Sequence, residues 1–247
     1  MSFLREFAAR YAHSWLERFR NRHGLSIPAL QVTSHDGVFR RSATGKKLLL
    51  HVGCGHATID HIGLSGFSRP TWSEIRLDAD ETVAPDIVGS MTEMPSVPSK
   101  SVDAVFSSHG IEHLYWHDVP RTLAEFFRVL RDDGFLVVAC PDLQAAAQMI
   151  SEDRMFDTAY MSAAGPITPF DMVFSYRPFV EANPQWMSHH CGFTLSTLLA
   201  ALREASFASV YGIRRPDGFD LWVLGSKSPR TTEEIAALAA QYLPVVA

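Results

Sequence analysis

The chain has 247 residues, 47% hydrophobic and 20% charged, with a formal net charge of −5 and a pI near 6.1. That is enough for one domain with a sizeable core. The acidic balance argues against a general nucleic-acid surface, which needs a basic face, and no apolar run reaches the roughly 20 residues of a membrane span.

Residues 1–23 repeat Phe3, Phe7, Tyr11, Trp15 and Phe19 at helical spacing, with arginines on the other side. This predicts an amphipathic helix that packs on the domain or on a partner copy; a membrane surface is the other reading. Arg5, Glu6 and Arg10 interrupt the place where a signal peptide would carry its apolar stretch. Cys54, Cys140 and Cys191 form no CxxC pair, which suits a reducing cytosol. A soluble cytoplasmic protein is the expectation.

Residues 24–46 read as a connector leading into a single domain over 24–247. Strands are predicted at Lys47–Val52, Ser73–Leu77, Asp86–Val88 and Val102–Ser107. Asp118 and Pro120 open a helix with Val119, Leu123, Phe126, Phe127 and Leu130 on one face; Asp132-Asp133-Gly134 stops it, and Phe135–Cys140 follows as a fully apolar strand. Gly63, Gly66 and Pro70 leave no room for a long helix between the first two strands. Residues 144–193, rich in Met, Phe and Pro, read as an insertion over a substrate site. Thr194 caps a helix, and Ala208–Ile213 and Phe219–Gly225 are joined by so short a link that they must pair antiparallel. The final helix, about Thr232–Tyr242, looks peripheral. The pattern is α/β: a Rossmann-like, seven-stranded, mostly parallel sheet with an antiparallel C-terminal hairpin and helices on both faces.

Leu50-His51-Val52-Gly53-Cys54-Gly55 is an apolar strand running into a glycine turn, where a backbone can approach a ligand closely. Asp78 lies 23 residues beyond Gly55, where nucleotide-binding α/β units place a carboxylate for ribose hydroxyls; Asp80 is the alternative. Gly89 to Pro95, Ser101 to Phe106, Ile111-Glu112-His113-Leu114 and Val129 to Leu136 follow in order. In these segments, over about residues 47–142, the chain resembles class I methyltransferases dependent on S-adenosylmethionine (SAM), closest to the type-11 group.

The resemblance implies SAM as cofactor, with His51, Gly53, Cys54, Gly55, Asp78, Ala79, Ser90, Met91, Ser107 and Ser108 around it. Three positions depart from the family: His51 for an acidic residue, Ala57 for the last glycine and Ser90 for the aspartate that meets the adenine. The resemblance implies methyl transfer; a small-molecule or sugar acceptor, at oxygen, is the expectation from the histidines and the modest insertion. His113, and after it His109, is the candidate for taking the acceptor's proton. Tyr115, Trp116, Met187, His189 and His190 are candidate acceptor contacts, with Trp186 and Phe193 as apolar walls; ordinary packing is the alternative for each. A homodimer through the N-terminal helix or the insertion is allowed, and no nucleic-acid partner is expected.

Other readings share these residues. His109-Gly110-Ile111-Glu112-His113 matches the HxxEH pattern of inverted zinc peptidases, and His117 would extend it along one helix face. Nothing else in the chain resembles those peptidases, so no metal is assigned. An NAD enzyme would need the third glycine that His56-Ala57-Thr58 lacks. A scaffold that has lost catalysis remains open, given the three departures.

Overall fold

The computed structural model describes Phe39 and residues 45–245; the expected helix at 1–23 and most of the connector lie outside them. Seven strands form one sheet: β1 (Lys47–Val52), β2 (Trp72–Asp78), β3 (Ile87–Val88), β4 (Val102–Ser108), β5 (Leu130–Pro141), β8 (Ser209–Arg215) and β9 (Asp220–Ser226). Their order is β3-β2-β1-β4-β5-β9-β8. Strands β1 to β5 pair in parallel, whereas β9 runs antiparallel to both β5 and β8. The short 216–218 turn between β8 and β9 forces that reversal.

Side chains alternate between the two faces, as the strand period of two demands. Leu48, Leu50, Val52, Val105, Leu136 and Val138 face one core. It is covered by helix α1 (Val119–Val129) and by α6 (Leu195–Glu204), whose N-cap is Thr194, as expected. Leu49, Ala104, Phe106, Val137 and Trp222 face the other.

On that second face, β1 and β2 are joined with only a short 3-10 turn, Ile59–His61, and cover is missing. It comes from the far end of the chain. Helix α7 (Thr232–Tyr242) buries Ile235, Ala239 and Tyr242 there, and Phe67 packs between Tyr242 and Trp72. The final helix is therefore part of the core, contrary to its expected peripheral place: the sheet face must be covered, and the segment between β1 and β2 holds no α-helix to do it.

Two further details differ from the sequence reading. Helix α1 ends at Val129, and Leu130 already pairs with Val102. Asp132-Asp133-Gly134 forms an irregularity within β5 before Phe135 pairs with Ala104. Asp118 makes no side-chain cap; α1 instead continues from the 3-10 turn Trp116–Asp118.

The insertion is a string of short elements: α2 (Leu143–Ser151), the hairpin β6 (Tyr160–Ser162) and β7 (Gly165–Ile167), then α3 (Pro169–Phe174), α4 (Arg177–Ala182) and α5 (Pro184–Met187). Prolines at the helix starts and non-helical breaks between them explain the weak periodicity. No helix among the described residues is long and apolar enough to cross a membrane.

Candidate active site

In an open parallel sheet, ligands bind beyond the carboxyl ends of the strands, where the strand order reverses. Here that point lies between β1 and β4. A cleft of about 300 Å³ opens there, and its walls come from successive strand ends. Gly53, Cys54 and Gly55 follow β1; Asp78, Ala79 and Asp80 follow β2; Gly89, Ser90 and Met91 follow β3; His109, Gly110 and His113 follow β4. Asn183, Trp186 and Met187 of the insertion close one side.

The glycine turn has a specific build. Gly53 and Gly55 have φ of 64° and 50°, in the left-handed region where a Cβ is strained. A Cβ on Gly53 would also stand 3.3 Å from Met91 Cε across the cleft. The Gly55 amide donates to Asp78 Oδ2 at 2.7 Å, and the Asp80 amide donates to Asp78 Oδ1 at 3.0 Å. Asp78 therefore holds the turn as well as facing the cleft, and each oxygen keeps a lone pair for a ligand hydroxyl.

Arg76, one pleat earlier, braces the same turn from below. Its guanidinium donates to the carbonyls of Gly55 (2.5 Å) and Ala57 (3.0 Å), and to those of Val83 and Ala84 (3.2 and 3.0 Å). Asp80 accepts from the Thr82 side chain and amide, which hold its carboxyl below the usual carboxylate range, and from Asn183 Nδ2 at 3.3 Å. That last bond ties the insertion to the cleft. Arg76, Asn183 and Gly110 were not among the sequence candidates.

His51 lies elsewhere. It is buried on the opposite face of β1, with Nδ1 2.8 Å from Glu74 Oε1 and its ring edge-on to Phe106. Burial pushes the Glu74 carboxyl up, but the bonds from His51 and the Ile59 backbone outweigh this and hold it down. Ser107 is buried beneath the cleft floor, with its hydroxyl unpartnered and close to Gly110, and Ser108 is half-buried; neither lines the cleft. The other expected cofactor contacts, Gly53, Cys54, Gly55, Asp78, Ala79, Ser90 and Met91, come together in it.

The histidines divide. Residues 109–117 do not form the single helix that would align three imidazoles: His109 has φ 53°, Ile111–His113 is a 3-10 turn, and His117 is exposed. His109 and His113 line the cleft. His109 Nδ1 lies 3.3 Å from Glu112 Oε1, and its side chain is 48% exposed. Burial lowers its proton affinity, but the Glu112 carboxylate beside it more than offsets this and holds the imidazole above its ordinary range. His113 Nδ1 is 3.2 Å from the Ser188 carbonyl.

His189 and His190 line a second pocket with Glu112, Pro141, Leu143 and Met172. Tyr115 is exposed and stacks on His190 at 4.3 Å, outside both pockets. Trp116 packs on the fully buried Phe193 and lines a groove beside α1 and α6. Of the expected acceptor contacts only Met187 faces the cleft, alongside Trp186.

A sequence model of the methyltransferase domain family matches residues 50–138, the segment from β1 to β5 that carries the cleft. That segment, about a third of the chain, is similar to a methyltransferase domain. The remaining β-hairpin completes its sheet. A protein of the SAM-dependent methyltransferase class from Listeria monocytogenes aligns at 12% identity and a TM-score of 0.50, covering 76% of this chain and 94% of that one. The methyltransferase domain of a citrinin polyketide synthase aligns at 12% identity and 0.50, covering 76% of this chain and 48% of that one. At such identities these two share the fold. No curated protein sequence matches the chain.

The family match implies SAM as the cofactor, and the cleft residues fit it. The left-handed glycine turn gives an amino-acid moiety close access to the backbone, the Asp78 carboxylate sits at the end of β2, and a Cβ at Gly53 would intrude on the space between them and Met91.

Proposed function

We propose that the protein transfers the methyl group of SAM to an oxygen of a small-molecule or sugar acceptor. One relationship carries the reading: the glycine turn and the Asp78 carboxylate are joined by a hydrogen bond at the mouth of a cleft that ends on two histidines. SAM, when bound, supplies an electrophilic methyl on a sulfonium. The work of the chain is to hold that cofactor and orient the acceptor.

Gly53, Cys54 and Gly55 receive the methionine part, Asp78 accepts from the ribose hydroxyls, and Ser90 with Met91 borders the adenine. Ser90 Oγ already bonds Thr92 Oγ1 at 2.8 Å, so it offers less to an adenine amine than a carboxylate would. An oxygen acceptor must lose its proton, and an imidazole on the cleft wall can take it. His109 is the better placed of the two, because its ring is half exposed and Glu112 lies behind it. The insertion, through Asn183, Trp186 and Met187, closes the acceptor side.

The test is transfer of labelled methyl from SAM to a panel of hydroxylated small molecules and sugars, with amines and thiols alongside. Label in an oxygen acceptor supports the reading. Label only in amines or thiols moves the specificity, and SAM binding without transfer to any acceptor leaves a cofactor-binding scaffold.

A further inference from the structure

Behind the cleft wall lies a second cluster that methyl transfer as described does not use. Glu112 is 1% exposed, and its carboxylate is met by His109 Nδ1 in a long ion pair of 3.3 Å, with no hydrogen bond to either oxygen. A buried carboxylate whose ion pair is this long keeps lone pairs to spare, and such a group accommodates a second cation. One potential ligand atom each from Glu112, His113 and His189 lie within 4.8 Å of one another. The two rings meet edge to face at 4.9 Å.

Both imidazoles are also held as metal ligands usually are. His113 Nδ1 is within 3.2 Å of the Ser188 carbonyl and His189 Nδ1 within 3.0 Å of the Met172 carbonyl. Carbonyls only accept, so each Nδ1 carries the proton and each Nε2 keeps its lone pair. A backbone carbonyl on the far ring nitrogen is the common support of a ligating histidine.

We propose that Glu112, His113 and His189 bind a divalent transition-metal ion at the wall between the cleft and the second pocket. Two imidazoles and one carboxylate favour an ion such as Zn2+, Co2+ or Mn2+ over Ca2+, which takes oxygen ligands. Donor atoms around tetrahedral zinc lie about 3.4 Å apart, so small side-chain rotations close the set. Three protein ligands leave a position open, as in catalytic rather than structural sites. His113 lines the cleft, whereas Glu112 and His189 line the second pocket, so the ion borders both. The site stands on its ligands alone. Its role, holding an acceptor oxygen and easing loss of its proton, rests on the methyl-transfer reading and leaves His109 as the imidazole that takes the proton.

The experiment is titration of the chelator-stripped full chain with Zn2+ by calorimetry, and with Co2+ by visible absorption. One equivalent should bind, with Co2+ bands characteristic of nitrogen and oxygen ligands. His189→Ala and Glu112→Gln should each weaken binding at least tenfold, whereas His117→Ala, at the exposed histidine, should not. Circular dichroism checks folding, and since His189 lies outside the cofactor cleft, its variant remains informative if Glu112→Gln unfolds. Absence of stoichiometric binding, or equal affinity in His189→Ala, overturns the site. S-adenosylhomocysteine binding, followed in parallel, separates this outcome from failure of the cofactor reading.

Discussion

The backbone amide of Gly55 donates to the Asp78 carboxylate over 2.7 Å, joining the turn after β1 to the end of β2. The bond makes Asp78 structural and cleft-facing at once, and Arg76 clamps the same turn from the other side. Cofactor binding should therefore respond to residues that never touch the cofactor. Arg76→Ala is expected to weaken S-adenosylhomocysteine binding by a few-fold to tenfold through a loosened turn. Calorimetry checks this, and unchanged affinity would show that the turn holds without its brace.

Gly53→Ala places a side chain in a left-handed conformation that costs about 1–2 kcal/mol, 3.3 Å from Met91 Cε. Both stability and cofactor affinity should fall. A denaturant melt and a binding titration on the same variant separate the backbone strain from the lost space.

Gly66→Ala tests the unexpected place of the last helix. The new Cβ would lie 2.5 Å from the Tyr242 ring and closer still to the Gln241 carbonyl. Overpacking of this kind costs about 1–3 kcal/mol. The midpoint of unfolding should drop accordingly, and an unaltered midpoint would mean that α7 can lift from the sheet at little cost.

His109→Ala should lower turnover by roughly a hundredfold or more, the usual worth of a positioned acid–base group, and should spare S-adenosylhomocysteine binding. Turnover within a few-fold of the parent would remove His109 from the proton step.

Burial pushes the Cys54 thiol up to about 11 and Cys191 to about 12, and Cys140 is raised well above its ordinary value. The thiolate is the reactive form. Near pH 8 alkylation of the folded chain should thus be slower than that of the denatured chain by on the order of a hundredfold, and should quicken as pH rises toward 11. Labelling of Cys54 at the denatured rate would contradict the buried environment.

Most of the sheet was legible because its information is local. Continuous apolar strands, the glycine turn and the short link before β9 each speak for themselves in the sequence. What escaped depends on distant partners. The cover supplied by Ile235, Ala239 and Tyr242 makes sense only once Trp72 and Phe67 lie beneath them. His51 sits in the family's acidic position, yet its strand face turns it to Glu74. The period-two run Glu74, Arg76, Asp78 was visible, and it marks the polar edge that anchors the turn. His189 is 76 residues from His113, and no spacing rule brings those two rings together.

The most direct test of the account is S-adenosylhomocysteine titrated into the full chain and into Asp78→Ala. Saturable one-to-one binding to the parent is expected. Loss of a charge-assisted bond, worth about 1.5–3 kcal/mol, should weaken binding to the variant about ten- to a hundredfold. A parent chain that does not bind, or a variant that binds equally well, would contradict it.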